Sequence, residues 1–491
     1  MKTLSRISAF LLLAAAAACV RIPESGSEDV CEGAAAAFSP DGKTLAFQRE
    51  RGDFIDVWTR DLASGEETLV ERMERGRAGQ PTWTRDGGLV YILSPATNTS
   101  YAAAKAKCDV GCNLYLSKDG KKKRRLTFGR WRDSTPHAAV DGKVYYVTKG
   151  RGEGKMKNRG TPTVYALDPA DPAAKPVPVY APPSIHSAGV SQPVVSPDGR
   201  LLAWSELDGW DDVWHICVAK LSDPSDFLVL TPPRMVAYEP NWTPDSAHLV
   251  FTGYREGDGG WSVYAADIAT GALKRLFRGT EPAVSPDGRR IAYTEDGRIR
   301  LKPFAVTFDA DAVPAADPSA EPEKVIWSAE NPKNGARVPM TDDFRFGSER
   351  TVFVRAKFRF DGDCSKYQDI VQCAYKESHL GLDLYMAKGI PHFGLRDGAG
   401  DHIRVAAPSA VKGACEMRMT GVRTRDGFYL SVNDGPVLFH NFTRGSLPLD
   451  TPKSVLMGST FNPASAIGLV EVGTGWPANV PRLRTGKELM K

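Results

Sequence analysis

The stretch Pro193-Val194-Val195-Ser196-Pro197-Asp198-Gly199-Arg200-Leu201-Leu202-Ala203-Trp204 places a tight turn directly in front of an apolar strand. Pro presets φ for the second turn position, Asp bonds its own downstream backbone, and Gly accepts a positive φ. The signature recurs as Ser39-Pro40-Asp41-Gly42, Thr84-Arg85-Asp86-Gly87, Val140-Asp141-Gly142, Thr243-Pro244-Asp245-Ser246 and Ser285-Pro286-Asp287-Gly288. Successive copies lie roughly 40 to 57 residues apart, enough chain for a four-stranded unit. Each turn is followed by a β-branched or aromatic run such as Leu89-Val90-Tyr91-Ile92 or Ile291-Ala292-Tyr293, and then by a second run such as Val57-Trp58-Thr59 or Val213-Trp214-His215-Ile216. These are strand signals, and no segment beyond the first residues keeps a helical period.

The units "PTWTRDG", "PVVSPDGRLLAW", "PNWTPDSAHLVF" and "PAVSPDGRRIAY" resemble the Pro-Asp-Gly repeats of TolB-like six-bladed propellers. "PHAAVDGKVYY" lacks the Ser-Pro pair and is the weakest copy. The resemblance implies an all-β protein with a six-bladed β-propeller over residues 34–306. TolB carries an α/β domain ahead of its propeller, whereas here the first copy follows the N-terminal leader almost at once, so the resemblance does not by itself imply a Tol-system role.

The leader has a basic start, Met1 to Arg6, and an apolar stretch, Ile7 to Ala18, too short to be a comfortable membrane span. Its ending Ala16-Ala17-Ala18-Cys19 resembles a bacterial lipoprotein leader, in which Cys19 becomes the lipidated first residue. Cleavage after an Ala-x-Ala triplet, with Cys19 incidental, is the plainer alternative. Residues 1–19 are thus read as signal peptide and 20–33 as a tether. Val20 rather than Asp after the Cys is the pattern that in enteric bacteria permits outer-membrane sorting, so the expected location is the cell envelope, lipid-anchored at the outer membrane.

An exported chain meets an oxidising compartment. Cys108 and Cys112 in "CDVGC" are read as a loop-closing disulfide, and Cys364 and Cys373 as a second, with Cys415 an alternative partner for either. Cys217, inside an apolar run, is expected to be a buried free thiol. Zinc would need about four ligands, and no second Cys pair lies near Cys108 and Cys112.

Past Phe304, "DADAVPAADPSAEPE" reads as a linker, set at 307–341, and "EKVIWS" within it either completes the sixth blade or begins the next domain. From residue 342 to 480, runs such as "TVFVRAKFRF", "GLDLYMAKG" and "GFYLSVNDGPVLF" lose the blade period and suggest a jelly-roll β-sandwich, with 481–491 as a tail. Val352 to Phe360, Gly381 to Met386 and above all "GVRTRDGFYLSVNDGPV" (421–437) resemble laminin-G-like or concanavalin-A-like domains, although Cys415-Glu416-Met417 stands where the usual Trp-His would be. Such domains sometimes hold Ca2+ through paired acids, for which Asp361 and Asp363 are the nearest candidates; no metal or cofactor is assigned.

A net charge of +4, from 63 Lys and Arg against 59 Asp and Glu, argues against a dedicated nucleic-acid binder. A prolyl-oligopeptidase-like enzyme would need a Gly-x-Ser-x-Gly nucleophile elbow after the propeller, and none is present. The turn Asps are explained by their turns. Glu206, Asp208, Asp211, Asp212, Glu256 and Asp258 read as solvated loop acids, and His215 as a packed core residue. Two basic stretches, 118–132 and 151–159, are read as solvated turns, with anionic lipid heads as the functional alternative. Trp58, Trp83, Trp204, Trp214, Trp242 and Trp261 recur at blade positions and are expected in the core, whereas Trp210 and Trp131 stand outside that register and are the ligand-contact candidates. The sequence points to a non-catalytic binding or scaffold protein for envelope proteins or glycans. The alternative is a propeller glycosidase, sialidase-like or otherwise, with the sandwich as its carbohydrate-binding module; such an enzyme needs two carboxylates flanking the scissile bond.

Overall fold

The computed structural model describes residues 26–74, 76–94, 112–118, 122–128, 132–149, 162–182, 187–208, 213–232, 235–255, 257–308, 322–339, 351–365, 367–374, 381–396, 402–407, 410–424, 427–435, 438–441, 454–457, 466–480 and 490. All named elements are β-strands.

The repeats fold as six four-stranded antiparallel blades. Blade one holds Ala34–Phe38, Thr44–Arg51, Phe54–Asp61 and Glu67–Glu71, and blade two Arg77–Trp83, Leu89–Ser94, Asn113–Ser117 and Lys123–Arg125. A parallel contact, Ile55 with Arg77, joins these two. Blade three holds Arg132–Ala138, Val144–Lys149, Thr163–Leu167 and Val177–Tyr180; blade four Ser187–Val195, Leu201–Asp208, Val213–Lys220 and Asp223–Val229; blade five Val236–Trp242, His248–Tyr254, Ser262–Asp267 and Leu273–Arg278. Blade six takes Thr280–Val284, Arg290–Glu295 and Arg298–Pro303 from its own repeat. Its fourth strand is Glu28–Glu32, from the other end of the chain.

That strand corrects the reading of 20–33 as a tether. Glu28 pairs with Leu301 and Cys31 with Ile299, Val30 and Cys31 are buried, and Arg298 Nε donates to both Asp29 carboxylate oxygens at 2.8 and 2.9 Å. The last repeat supplies only three strands to blade six, so Glu28–Glu32, the first described strand, fills the fourth place and closes the ring.

The turn signature behaves as its chemistry requires. Ser196 Oγ donates to Asp198 Oδ1 at 2.6 Å and accepts from Leu201 N at 2.9 Å, while Asp198 Oδ1 accepts from Arg200 N at 3.0 Å. Gly199 takes φ 75°, and in blade five Ser246 adopts the same left-handed conformation at φ 59°. Blade three has no hydroxyl at this place, and its Asp141 is held instead by Lys143 N and the Tyr145 hydroxyl. Between blades lie apolar seams, such as that of Leu201, Ala203, Ile216 and Val218 against Leu249, Phe251 and Trp242.

The remaining strands form two six-stranded antiparallel sheets. One runs Lys324–Glu330, Ala466–Thr474, Val352–Phe360, Cys415–Arg423, Gly427–Val432, Leu438–Asn441; the other Ala336–Pro339, Ser454–Met457, Tyr367–Ala374, Gly381–Ala387, Ile390–Arg396, His402–Ala406. They share a core of Val354, Phe358, Leu384, Phe393, Met419, Phe428 and Val470. Here the linker reading of 307–341 is corrected. The "EKVIWS" segment pairs with Ala466–Thr474, not with blade six, so the sandwich begins before residue 342.

Candidate functional site

The propeller axis is built from the first strand of each blade. Every one of these strands carries a bulge, and at each bulge a residue with a side chain takes a positive φ: Ala35 51°, Gln80 52°, Thr135 48°, Gln192 53°, Glu239 59° and Glu281 53°. Strain of this kind persists only where the surroundings impose it. The surroundings here are a closed circuit of hydrogen bonds from blade to blade.

Thr135 N donates to Gln80 Oε1 at 2.7 Å, Gln192 N to Thr135 Oγ1 at 3.1 Å, and Glu239 N to Gln192 Oε1 at 3.1 Å. Glu281 N donates to Glu239 Oε2 at 3.0 Å, and Ala35 N to Glu281 Oε2 at 2.8 Å. Ala35 has no acceptor to offer blade two, and Gln48 of the same blade supplies it, taking Gln80 N at 3.2 Å. Second-strand hydroxyls brace the circuit: Ser205 donates to Gln192 Oε1, Thr252 to Glu239 Oε2 at 2.6 Å and Thr294 to Glu281 Oε2 at 2.8 Å. Trp83 and Trp242 add indole bonds to Ala37 O and Val194 O of the preceding blades, 3.0 Å each.

Two of the six ring positions are acidic and adjacent. Burial, and next the charge of Glu281, push the Glu239 carboxyl up to about 7, and burial raises Glu281 as well. Each carboxylate commits Oε2 to two donors. Among the described residues neither Oε1 makes a hydrogen bond, and the same holds for Nε2 of Gln80 and Gln192, so acceptors and donors remain for whatever enters the axis.

The ring was missed at sequence level by one residue. The repeat units begin at Pro81, Pro136, Pro193, Pro240 and Pro282, and the ring residue is the one before each Pro, four before the position that holds the turn hydroxyl in every copy but the third, where Ala139 stands. An acceptor-bearing residue ahead of Pro in five of six copies was the available signal.

Of the residues singled out by sequence, Cys19, Cys108, Trp131 and Trp210 lie outside the described residues, as do Asp211, Asp212 and Glu256. Cys112 and Cys364 are free thiols, and so are Cys31, Cys217 and Cys415. The Cys364–Cys373 pairing is corrected: the Cys364 sulfur lies against Val411 O and the Gly389 turn, at the Tyr367–Ala387 end of the hairpin, whereas Cys373 pairs with Leu382 at its far end. Six strand residues from Tyr367 to Cys373 span about 20 Å, too far for a bridge. Asp361 and Asp363 hold their own loop, accepting from Asp363 N and from Ser365 N and Oγ. Glu206 accepts from the Tyr180 hydroxyl and the Trp204 indole, and Asp258 from the Tyr264 hydroxyl, so these two are not solvated loop acids. His215 is buried. Trp204 and Trp242 are core, but Trp261 is 38% exposed and Trp214 half-buried, against expectation. No group of three His, Cys, Asp or Glu suited to a metal ion occurs among the described residues.

Against known proteins, the chain is 24% identical over 245 residues to the Tol-Pal system protein TolB of Francisella tularensis subsp. tularensis strain WY96-3418, covering 49% of this chain and 51% of that one. The strand order itself shows an all-β fold, a six-bladed β-propeller followed by a β-sandwich. The chain spans about half the length of the curated relatives it matches first. A shorter match, 29% identical over 112 residues, covers 23% of this chain and 34% of the uncharacterized protein Atu1656 of Agrobacterium fabrum. Among solved structures, TolB from Acinetobacter baumannii aligns over 56% of this chain and 55% of its own, at 14% identity and TM-score 0.37. Trypanosoma rangeli sialidase in complex with the inhibitor DANA aligns over 94% and 93%, at 11% identity and TM-score 0.37. No protein-family model matches the chain.

Proposed function

We propose that this chain is a non-catalytic binding or scaffold protein of the bacterial cell envelope, held at the outer membrane by a lipid on Cys19. Its propeller axis and loops receive protein or glycan partners, and the laminin-G-like sandwich serves as a second binding module. The observation that carries this reading is the axial ring. The two acids that an enzyme built on this axis would use, Glu239 and Glu281, each accept a backbone N–H of the next blade, so they are the seam between blades. The likeness to a Tol-Pal system protein over 245 residues supports an envelope setting and a protein partner. Photo-crosslinking from Gln80 in cells tests the partner, which should be an envelope protein captured at the axis. Cys19→Ser should move the protein from the membrane fraction to the soluble one, and equal retention would end the anchor reading.

One observation favours a glycosidase as the second reading: Glu239, its carboxyl raised to about 7, neighbours Glu281, and both leave Oε1 uncommitted. Paired carboxylates with separated pKa values do acid–base work on glycosidic bonds. Turnover of aryl glycosides by purified protein, lost in Glu281→Gln, would establish that reading in place of the first.

A further inference from the structure

Four aromatic side chains form a continuous row across the seam of blades four and five. Trp214, at the start of the third strand of blade four, lies 5.8 Å from Tyr238 of the first strand of blade five; Tyr238 lies 5.4 Å from Trp261, and Trp261 5.6 Å from Tyr254. The rings are tilted at 45 to 51°, so they present faces and edges in alternation. Trp261 and Tyr254 are 38% and 39% exposed, and Trp214 and Tyr238 are half-buried. The indole N–H groups of Trp214 and Trp261 and the hydroxyls of Tyr238 and Tyr254 make no hydrogen bond among the described residues. Beside the row, Arg278 is exposed, has no ion-pair partner among the described residues, and lays its guanidinium over the Gly260 turn that leads into Trp261.

We propose that this row is a binding site for an acidic saccharide. The proposal rests on the binding-protein reading above and assigns it a place and a ligand class. A sugar ring has C–H faces that pack on aromatic faces and a rim of hydroxyls that pair with ring-edge donors, and this surface offers both at once. A peptide anchor would instead ask for a dry, enclosed pocket at the centre of the contact. The exposed Arg278 guanidinium selects a carboxylate, with which it bonds in bidentate fashion. Because the exposed side chains carry little of the blade core, they can be changed without unfolding it.

The test is calorimetric titration of the full chain with two probes of known structure: a hyaluronan hexasaccharide, with a carboxylate on every second sugar, and chitohexaose, which has N-acetylated sugars and no carboxylate. The acidic probe should bind more tightly than the neutral one. Trp261→Ala should weaken it by about tenfold or more and Tyr254→Ala severalfold, with melting temperatures unchanged. Arg278→Ala should bring the acidic probe down to the affinity of the neutral one. Failure of both probes to bind at about millimolar concentration, or equal affinity of wild type and Trp261→Ala, overturns the site. If neither sugar binds while Trp261→Ala abolishes capture of an envelope protein, the row is a protein contact and the saccharide assignment is wrong. If neither binds and capture is intact in the variant, the binding-protein reading stands and this inference alone falls.

Discussion

The propeller packs both faces of a blade such as the fourth against its neighbours, whereas the two sheets of the sandwich share one core between them, and the two regions are wired differently. Five of the six blades take all four strands from one contiguous stretch, and the sixth borrows only Glu28–Glu32, which reaches its partner across 269 positions in the Asp29–Arg298 pair. In the sandwich the central strand Val352–Phe360 lies between Ala466–Thr474 and Cys415–Arg423, and half of the pairings in the two sheets join strands that are not consecutive in the chain. A repeated local unit advertises itself through its turns, because each copy must solve the same backbone problem. Distant pairing leaves no such mark.

The comparison can be broken at its most asymmetric point, the borrowed strand. Deleting residues 28–32 removes buried Val30 and Cys31 and one edge of blade six, and should cost the propeller about 5 kcal/mol while leaving the sandwich transition in place. Denaturant unfolding followed by a probe in each region would read this; an unchanged propeller midpoint would mean that the strand is ornamental.

The complementary lesion is Gly421→Ala. A Cβ there would overlap the Phe393 ring, in the layer between the two sheets, and the expected loss is about 3 kcal/mol confined to the sandwich. If both transitions fell together, the two regions would not be separate cooperative units.

Within the propeller, Gln192→Ala removes the acceptor of both Glu239 N and the Ser205 hydroxyl. An orphaned backbone donor at the blade seam should cost about 2 kcal/mol, and Gln192→Glu should restore much of it. A loss below about 0.5 kcal/mol would show that the circuit adds little to closure.

The blades were legible because Asp, Gly and Pro at turns are required by φ and by local hydrogen bonding, whatever lies around them. The borrowed strand was not legible, since "EDVCE" carries no turn signal and reads as polar leader. The axial ring was half legible: its acceptors stand in register before Pro, but only the curvature of the sheet brings Gln80 Oε1 to Thr135 N. Trp214 and Trp261 shared the register of core tryptophans, and their exposure depends on where each blade ends, which periodicity does not report. The cysteine pairing failed for the same reason as the sandwich order, because spacing along the chain does not give the hairpin end at which each Cys sits.

The central claim is that the acids on the axis hold blades together. Glu239 tests it most directly, because blades two and four place Gln at the same position. The folded chain keeps the Glu239 proton up to about pH 7, whereas the ordinary value is 4.5, so the proton-linked stabilisation is complete below about pH 4.5 and fades as pH rises through about 7. Glu239→Gln keeps an acceptor for Glu281 N and carries no charge beside Glu281 or Tyr238. Urea midpoints at pH 5.5 and pH 8 should therefore show the wild type losing on the order of 2 kcal/mol relative to the variant at the higher pH, with partner capture intact. A variant less stable than wild type at pH 8, or a wild-type glycosidase activity that the substitution abolishes, would contradict the claim.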